Sequence, residues 1–569
     1  MKILTNGKIY TEDTRKPWAE AVAIEGKNFV CVGTNEEVIA YAKFNSNEYE
    51  TVDLGGKTVL PGFIDGHNHP ALIDGSSWMI YDKPALSKEE LAANVLKMAK
   101  KHPKEETPYF VYNLYLAEVF GEKGPHKSFL DEIISDRPAR LNDDSGHGCL
   151  YNSIALEMLK DENGVPHSVS PIGGQEFYKD ENGDYTGFAF QSFAAGDMGV
   201  FDAIGWKPEL FMNEKTSKRI LQIMTHFGDI GYMEAAFREE EEVAYLTRAD
   251  KAGDLTFYVD ATVMLPSMDD IESVVVTAHD WQKKYETDHI RVRTVKFFGD
   301  GSAEAGDVLS LEPFSNDPEG KECGHCNFTT EQMRDVLVRL NEERLDFHVH
   351  VISDGTLRLM LNAIEEAQKI CGDDWCIKVT LAHLEVMHPD DEKRFKKLGV
   401  CANLTPHWFA QDPPARRMYF GERADRCWDY TQFLIDDVDC DFSSDTTDEA
   451  DARRTSLFLG FQVAMTGIEP GIGTALATDL EKYPNGQLPE SGKWTLEQCI
   501  HAATWNNAKR MRILDKVGSI EVGKRACMVV LDKDIFTIPT EEIHTIDPVC
   551  TYFDGKELIT PNPFEEEPV

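Results

Sequence analysis

Eight short apolar segments, separated by stretches with helical periodicity, run through residues 58–444 of this 569-residue chain. Strands that alternate with helices favour a parallel sheet, and eight such units predict an α/β fold of the (β/α)8 TIM-barrel type. One of the helices has a clear start signal, because Thr329 and Gln332 have the spacing of a capping box. The predicted strands are 58–64, 231–235, 256–262, 291–298, 345–351, 377–383, 400–404 and 440–444.

The two ends of the chain have a different pattern, in which short strand-like segments are punctuated by Gly and Asn. We therefore predict one small β-sandwich built from residues 1–56 and 512–569, with the barrel occupying residues 57–511. The stretch 72–225, between the first and second predicted strands, is too long for a barrel loop. It predicts an inserted subdomain that lies over the barrel mouth.

The chain is strongly acidic, with a formal net charge of -41 and a pI of about 4.8. This charge argues against nucleic acid and anionic membranes as partners and fits a well-solvated acidic surface. The start of the chain lacks the apolar stretch of a secretory signal, and no apolar run is long enough to span a bilayer. The 12 cysteines are scattered, as is typical of reduced thiols. We expect a cytoplasmic protein that acts on a small molecule.

Six residues stand near the predicted carboxyl ends of barrel strands, where barrels carry their functional groups. Two of them, His67 and His69, alternate along one strand and therefore face the same side. Neutral imidazole and carboxylate groups bind zinc, and also manganese, iron and cobalt. The set predicts a site for two divalent metal ions, whereas His348 is interpreted as a residue that fills the barrel interior. The six candidate ligands are His67, His69, Lys296, His350, His383 and Asp445.

Lys296 is the unusual member of this set, because an ammonium group has no lone pair with which to bind a metal ion. Carboxylation by CO2 would convert its amine to an anionic carbamate that can bridge two cations. Without that modification, Lys296 could act as a general base or hold the substrate. A purely structural lysine is the remaining alternative.

Divalent metal ions lower the pKa of coordinated water towards neutrality and polarise carbonyl groups. Asp445 is suited to accept the proton that such a water molecule loses and to pass that proton to the leaving nitrogen. We therefore predict metal-dependent hydrolysis of a non-peptide C–N bond in a small amide, formamide, imide or cyclic amide. The alternatives are ester hydrolysis or amidine deamination at the same site, or a non-catalytic barrel used as a scaffold.

Several motifs resemble the amidohydrolase superfamily, and specifically its family 3, which includes N-substituted formamide deformylases. Residues 57–69 (Lys-Thr-Val-Leu-Pro-Gly-Phe-Ile-Asp-Gly-His-Asn-His) are similar to its first barrel strand, and residues 295–302 to its fourth-strand motif. The resemblance implies a binuclear site bridged by carboxylated Lys296, and a homodimer. It also implies that His67 and His69 bind one ion, that His350 and His383 bind the other, and that Asp445 is both ligand and proton shuttle.

Two further histidines are candidates for substrate binding on the strength of this resemblance. His147, in the sequence Asp-Ser-Gly-His, resembles a substrate-side motif of the family, and His407 follows the seventh predicted strand. A structural role is an equally open interpretation for each. The chain also departs from the family, since Met233-Glu234 stands where His-Asp is frequent and Gln191 where Glu is common. These departures predict a pocket adapted to a different substrate.

Overall fold

The computed structural model describes the chain except for residues 117–118, 122–123, 144–147, 167–176, 191–192, 210–211, 215, 236, 238, 305, 412–413 and 565–569. The candidate His147 and the departure at Gln191 therefore lie outside the described residues.

The centre of the protein consists of parallel strands whose spatial order follows the chain. They form one array of four strands and one of six, and each of the eight predicted segments overlaps a strand of these arrays. The first array contains Phe63–Asn68, Asp229–Glu234, Tyr258–Ala261 and Ile290–Arg291. The second contains Val263–Met264, Thr294–Phe298, Asp346–Val351, Val379–His383, Cys401–Leu404 and Cys440–Phe442.

The last parallel strand returns to the first at their carboxyl ends. The backbone N–H of Asp445 donates to the carbonyl oxygen of His67 at 3.0 Å, and that of Ser444 donates to the carboxylate of Asp65 at 3.0 Å. Residues that are far apart in the chain are thus held within one hydrogen bond of each other.

Helices follow most of these strands and bury their apolar faces against them. The predicted capping box is present at Thr330–Glu343, where Thr329 and Gln332 bond reciprocally, and Met333, Val336 and Leu340 of that helix are buried. Within the described part of the chain, no helix is both long and apolar enough to cross a membrane. The helices are Asn35–Asn45, Pro70–Gly75, Lys88–Lys101, Ser128–Ile133, Ser153–Met158, Phe193–Ile204, Ser217–His226, Glu240–Ala252, Ile271–Tyr285, Thr330–Glu343, Asp354–Cys371, Pro389–Glu392, Arg394–Leu398, Pro414–Phe420, Thr431–Asp436, Leu457–Thr466, Leu496–His501 and Asn507–Arg510.

The segment 58–64, predicted as one strand, is divided between two sheets. Thr58–Pro61 pairs with Lys8–Tyr10 and Met528–Val530, whereas Phe63–Asn68 belongs to the parallel array. Gly62 stands between them, and a Cβ atom there would lie 2.5 Å from a methyl carbon of Ile230. An unbroken apolar run gives no indication of where its hydrogen-bond partners change, and this explains the difference.

Both ends of the chain contribute strands to one sheet, and a second sheet from the amino-terminal end packs against it. We call the six-stranded one the terminal sheet, and the four-stranded one the amino-terminal sheet. Leu4 and Phe29 of the amino-terminal sheet share one apolar cluster with Val59 and Met528 of the terminal sheet. The terminal sheet contains Lys556–Leu558, Cys550–Phe553, Met528–Val530, Thr58–Pro61, Lys8–Tyr10 and Trp18–Ala19, and the amino-terminal sheet contains Asn28–Gly33, Ala21–Glu25, Lys2–Thr5 and Glu50–Asp53.

The long stretch after the first parallel strand forms a separate six-stranded sheet with apolar clusters on it. Its strands, in spatial order, are Phe177–Lys179, Tyr185–Phe190, Gly148–Tyr151, Ala139–Asp143, Phe110–Tyr115 and Ile80–Ala85. The position of this stretch over the barrel mouth, and the domain boundaries given above, stay predictions.

His289 links the terminal sheet to the parallel strands through two carboxylates. Its Nδ1 lies 2.6 Å from Asp250 and its Nε2 lies 3.1 Å from Asp554, in the turn that joins two strands of the terminal sheet. Burial favours the neutral ring, but the hydrogen bonds to Asp554 and Asp250 outweigh it and raise the pKa of His289 above its ordinary value. The protonated ring therefore stabilises the fold at low pH, and this contribution is lost as the pH rises through the raised pKa.

We expect His289→Asn to lower the free energy of unfolding by about 1–2 kcal/mol at pH 6, the scale of a charged hydrogen bond. The deficit should be smaller at pH 9, where a smaller fraction of the wild-type ring is protonated. Urea denaturation at both pH values measures the difference, with His102→Asn, at a half-buried helix end, as control. An equal deficit at both pH values would contradict the charged interaction.

Candidate metal centre

The six candidate ligands form one contiguous buried cluster at the carboxyl ends of the parallel strands. The carboxylate of Asp445 is at its middle, with Oδ1 3.6 Å from Nε2 of His67 and 3.4 Å from Nε2 of His69. The other oxygen, Oδ2, lies 3.6 Å from Nδ1 of His383. One carboxylate thus faces three imidazoles: His67 in the first parallel strand, His69 directly after that strand, and His383 at the end of Val379–His383.

The remaining two members contact these imidazoles. Nζ of Lys296 lies 3.3 Å from Nε2 of His67, and the ring centroids of His350 and His383 are 4.5 Å apart. Lys296 stands in the middle of Thr294–Phe298 and not at the strand end that the sequence suggested. All six side chains are at most 8% exposed, so the cluster is nearly closed to bulk water.

Two residues of the cluster have unusual backbone conformations. His383 has φ of 75° and Asp445 has φ of 47°, a region that residues other than glycine seldom adopt. Such conformations persist where surrounding contacts fix them, and they occur most often at functional sites. The hydrogen bond from the Asp445 N–H to His67 is one of these contacts.

Burial favours the neutral form of two imidazoles of this cluster. Desolvation, with a smaller effect of Lys296, lowers the pKa of His67 well below its ordinary value, and desolvation with His350 does the same for His383. Desolvation also lowers the pKa of Lys296 to about 7, although Asp445 opposes this. At neutral pH the rings therefore have lone pairs to offer, and a substantial fraction of the Lys296 amine is uncharged.

The cluster has the properties of a cation site. Nδ1 of His383 is buried and has no hydrogen-bond partner among the described residues. Ligand atoms of His67, His383 and Asp445 lie within 4.8 Å of one another, while the separations from the carboxylate exceed normal hydrogen-bond lengths. Neutral nitrogen donors around a carboxylate are the ligand types of zinc and similar ions. The residues present fit a divalent metal ion.

His348 contacts the His67 ring of the cluster. It is fully buried, and its Nε2 lies 2.9 Å from Nδ1 of His67, so it contacts the ring nitrogen that faces away from Asp445. Metal-binding histidines ordinarily have such a partner on the second nitrogen, which fixes the ring orientation. This arrangement is consistent with an interior role for His348.

Three buried carboxylates near the cluster were not predicted. Asp65 accepts hydrogen bonds from the N–H groups of His67 and Ser444, and Asp300 accepts from the backbone of the loop after His350. Burial raises the pKa of each to about 7. Glu234 accepts from the N–H of Ala71, and its other oxygen lies 3.9 Å from Nδ1 of His69. The alternation of Asp65 with His67 along one strand would have suggested the first of these.

Two aromatic rings border the cluster. The indole of Trp408 stacks on His383 with centroids 5.1 Å apart, and the ring of Phe298 lies 5.2 Å from that of His350. Both side chains are partly exposed, whereas the histidines are buried. They are therefore placed to form apolar walls for a molecule that approaches the carboxylate.

His407, the substrate-binding candidate beside Trp408, is fully buried and its Nε2 lies 3.0 Å from the carbonyl oxygen of Ser456. Burial lowers the pKa of His407 to about 3, so the ring is neutral and donates to that carbonyl. Its hydrogen bond thus joins two loops of the fold.

A buried ion pair holds the backbone of Gly66, the residue directly before His67. Arg510 donates from Nη2 to the carbonyl oxygen of Gly66 at 2.8 Å and from Nε to Asp441 at 2.5 Å. Asp441 also accepts from Asn403. Since Asp441 lies in the last parallel strand and Gly66 in the first, Arg510 fixes the position of His67 relative to Asp445.

Known proteins resemble this chain over nearly its whole length. A family model described as the amidohydrolase family matches residues 50–559. The N-substituted formamide deformylase of Arthrobacter pascens is 23% identical over 582 residues, which cover 97% of this chain and 97% of that protein. The putative amidohydrolase YtcJ of Bacillus subtilis (strain 168) is 23% identical over 575 residues, which cover 97% of this chain and 98% of that protein.

A solved structure shows a similar architecture. The uncharacterized metal-dependent hydrolase from Pyrococcus horikoshii OT3 superposes with a TM-score of 0.68 at 19% identity, covering 95% of this chain and 99% of that chain. This likeness implies a TIM-barrel-like α/β fold. Because the family model spans most of the sequence and the buried cluster offers ligands for a divalent ion, we conclude that the chain belongs to the amidohydrolase family and is a metal-dependent hydrolase.

Proposed function

We propose that this protein hydrolyses a non-peptide C–N bond of a small amide, formamide, imide or cyclic amide at a centre of two divalent metal ions. The observation that carries the proposal is the Asp445 carboxylate, which faces three buried imidazole nitrogens at 3.4–3.6 Å. The cluster contains the number and type of donors that two cations need. We infer that zinc is the native ion, with manganese, iron and cobalt as alternatives.

Each side chain has a distinct role in this proposal. His67 and His69 hold one ion and His350 and His383 hold the other. When bound, the ions lower the pKa of water and polarise the scissile carbonyl group. His348 keeps the His67 ring in place through the contact at Nδ1.

Lys296 is proposed to carry a CO2-derived carbamate between the two cations. Only an uncharged amine reacts with CO2, and burial lowers the pKa of Lys296 to about 7. Its Nζ lies beside His67, on the side that Asp445 also faces. A carbamate there would add to the negative charge of Asp445 among the imidazoles, which favours a pair of divalent cations.

Asp445 is proposed to be the proton shuttle. Its two oxygens face different histidines, so one can remain a ligand while the other accepts the proton of the attacking water. The same carboxyl group then gives the proton to the leaving nitrogen, which departs as a neutral amine. Trp408 and Phe298 limit the access of water and contact the apolar parts of the substrate.

The substrate class is tested with matched panels of N-substituted formamides, other amides, cyclic amides, esters and amidines. The relative named N-substituted formamide deformylase makes N-substituted formamides the first compounds to assay. We expect turnover of at least one amide to exceed that of its matched ester and amidine. If esters or amidines were hydrolysed faster than the matched amides, the proposed reaction would have to be replaced by ester hydrolysis or amidine deamination.

His67→Ala should remove bound metal and most of the activity, because this ring is the centre of the donor cluster. Elemental analysis of the purified protein measures the metal, and the panel measures the rate. His102→Ala, which alters a ring outside the cluster, is the control and should keep both. Unchanged metal content in the His67 variant would rule out the ligand assignment.

The carbamate is tested by supplying 13C-labelled bicarbonate to the zinc-loaded protein. We expect one carbamate carbon signal in the NMR spectrum, and we expect it to be missing from Lys296→Met. A spectrum without the signal in the fully loaded wild-type protein would leave Lys296 as a general base or a substrate-holding residue.

A further inference from the structure

The two histidines proposed to hold the second cation are each fixed by a short neighbouring segment. Nε2 of His350 lies 2.8 Å from the carbonyl oxygen of Gly301 and is the donor, because a carbonyl oxygen only accepts. His383 is followed by Leu384, and these two consecutive residues have φ of 75° and 56°. Left-handed residues other than glycine persist where surrounding contacts fix them. The position of each ring therefore depends on contacts made by residues beyond the ring itself.

The carbonyl group of Gly301 is itself held in a turn that Asp307 closes. The N–H of Gly301 donates to the carbonyl oxygen of Asp307 at 2.7 Å. A Cβ atom at position 301 would lie 2.5 Å from Oδ2 of Asp307, so only glycine fits against this carboxylate. Nε2 of His325 lies 3.1 Å from the other oxygen of Asp307. Glu304 stands between Gly301 and Asp307 in the chain, so its side chain projects from the same turn.

A single guanidinium group joins this turn to the segment after His383. Nη2 of Arg416 lies 2.6 Å from Oε1 of Glu304 and 2.9 Å from Oε2 of Glu385, which is two residues beyond His383. These three charged side chains are at most 11% exposed, so water screens their contacts little. The guanidinium also lies 4.9 Å from the ring of Trp428, whose backbone N–H donates to the carbonyl oxygen of Glu385 at 3.4 Å. Arg416 thus connects the turn beside one histidine to the segment beside the other.

Stability alone does not account for three buried charged groups at this place. Taking charges out of water is costly, and apolar side chains of similar volume frequently stabilise a fold as well or better. An ion pair differs in that its short, directional contacts fix distances between the groups that it joins. The connection between Glu304 and Glu385 therefore constrains the separation of the His350 and His383 rings, whose centroids are 4.5 Å apart.

We propose that Arg416 is a positioning residue, which sets the separation between the rings of His350 and His383. It acts through the two glutamates that it joins. The inference rests on the proposed function, in which these rings hold one of two cations. Without Arg416 the two rings can move relative to each other, so the cation between them is held more weakly. The cation at the first two histidines of the cluster keeps its affinity.

The first test uses the metal-free full-length protein. NMR measures how fast the Nε2–H proton of His350 exchanges with water, and His350→Asn assigns the signal. Glu304→Ala, which cuts the connection at its most exposed member, and Arg416→Met should each accelerate the exchange at least tenfold. Glu304→Gln keeps an acceptor for the guanidinium and should stay within threefold of wild type. Arg417→Met, which removes an exposed ion pair from the same helix, is the matched control and should change the exchange less than twofold.

The second test is a zinc titration of the same variants against a competing chelator, in which His350→Ala identifies the ion that the second pair of histidines holds. Glu304→Ala and Arg416→Met should weaken the binding of this ion at least tenfold and that of the other ion less than threefold. A wild-type protein that binds fewer than two ions would contradict the proposed function, and the exchange rates would still decide the role of Arg416. Wild-type exchange in Glu304→Ala, or equal weakening of both ions, would overturn the inference. If Arg416→Met does not fold, Glu304→Ala decides both tests.

Discussion

Asp445→Asn will keep the fold but lower the rate of hydrolysis by about 10²–10⁴-fold, the usual contribution of a positioned proton-transfer group. Asparagine has the same shape as aspartate and tolerates the left-handed region, so it can adopt the φ of 47° found at this position. The hydrogen bond from its backbone N–H to His67 does not depend on the side chain. What is lost is the oxygen that we propose accepts the proton.

Steady-state rates on the best amide of the panel, with metal content measured on the same samples, test this prediction. Asp437→Asn is a matched control, because Asp437 also has a left-handed backbone, with φ of 52°, but its side chain is exposed on the surface. We expect less than a twofold change for the control. A rate within threefold of wild type in Asp445→Asn, at full metal content, would rule out the shuttle role.

Arg510→Met will destabilise the protein by about 3–5 kcal/mol, because it leaves buried carboxylates without their cation. Arg510 bonds to Asp441 at 2.5 Å and lies 3.7 Å from Asp260, and all three side chains are nearly inaccessible. Methionine replaces much of the volume, so most of the loss comes from the charge. Urea denaturation measures the free energy of unfolding.

The pH dependence of this defect has a definite sign. Burial raises the pKa of Asp441, and Arg510 opposes that effect. In the variant the folded state takes up a proton at Asp441 more readily than the unfolded state does, so the deficit should shrink as the pH falls from 8 to 5.5. Lys509→Met removes an exposed pair with Asp439 and should cost at most about 1 kcal/mol. A similar cost for both variants would contradict the role of burial.

Much of the parallel sheet could be predicted because its strands are continuous apolar runs that end in polar residues. His350 and His383 stand at or next to such ends, and the structure brings them together with His67 and Asp445 as the strand order requires. The repeated apolar runs were enough to locate these strands. Because the parallel strands follow the chain order, no further information was needed to predict which strands pair.

The surroundings of the cluster could not be predicted in the same way. Asp300 accepts a hydrogen bond from the backbone of a loop that is 52 residues away in the chain, and Arg510 reaches Gly66 from a helix near the carboxyl end. Such contacts depend on which loops lie close together in the folded protein, and a local sequence pattern does not indicate this. The division of 58–64 between two sheets is missed for the same reason, because both halves are equally apolar.

Gly62 alone separates the strand Thr58–Pro61, which pairs with residues from the far end of the chain, from the strand that carries His67. The terminal sheet and the parallel array therefore cannot be replaced independently of each other. A truncation before Met528, or a fusion that displaces the last strands, would remove the partner strand that anchors the segment leading to His67 and His69. The integrity of the metal centre is in this sense tied to the final tenth of the polypeptide.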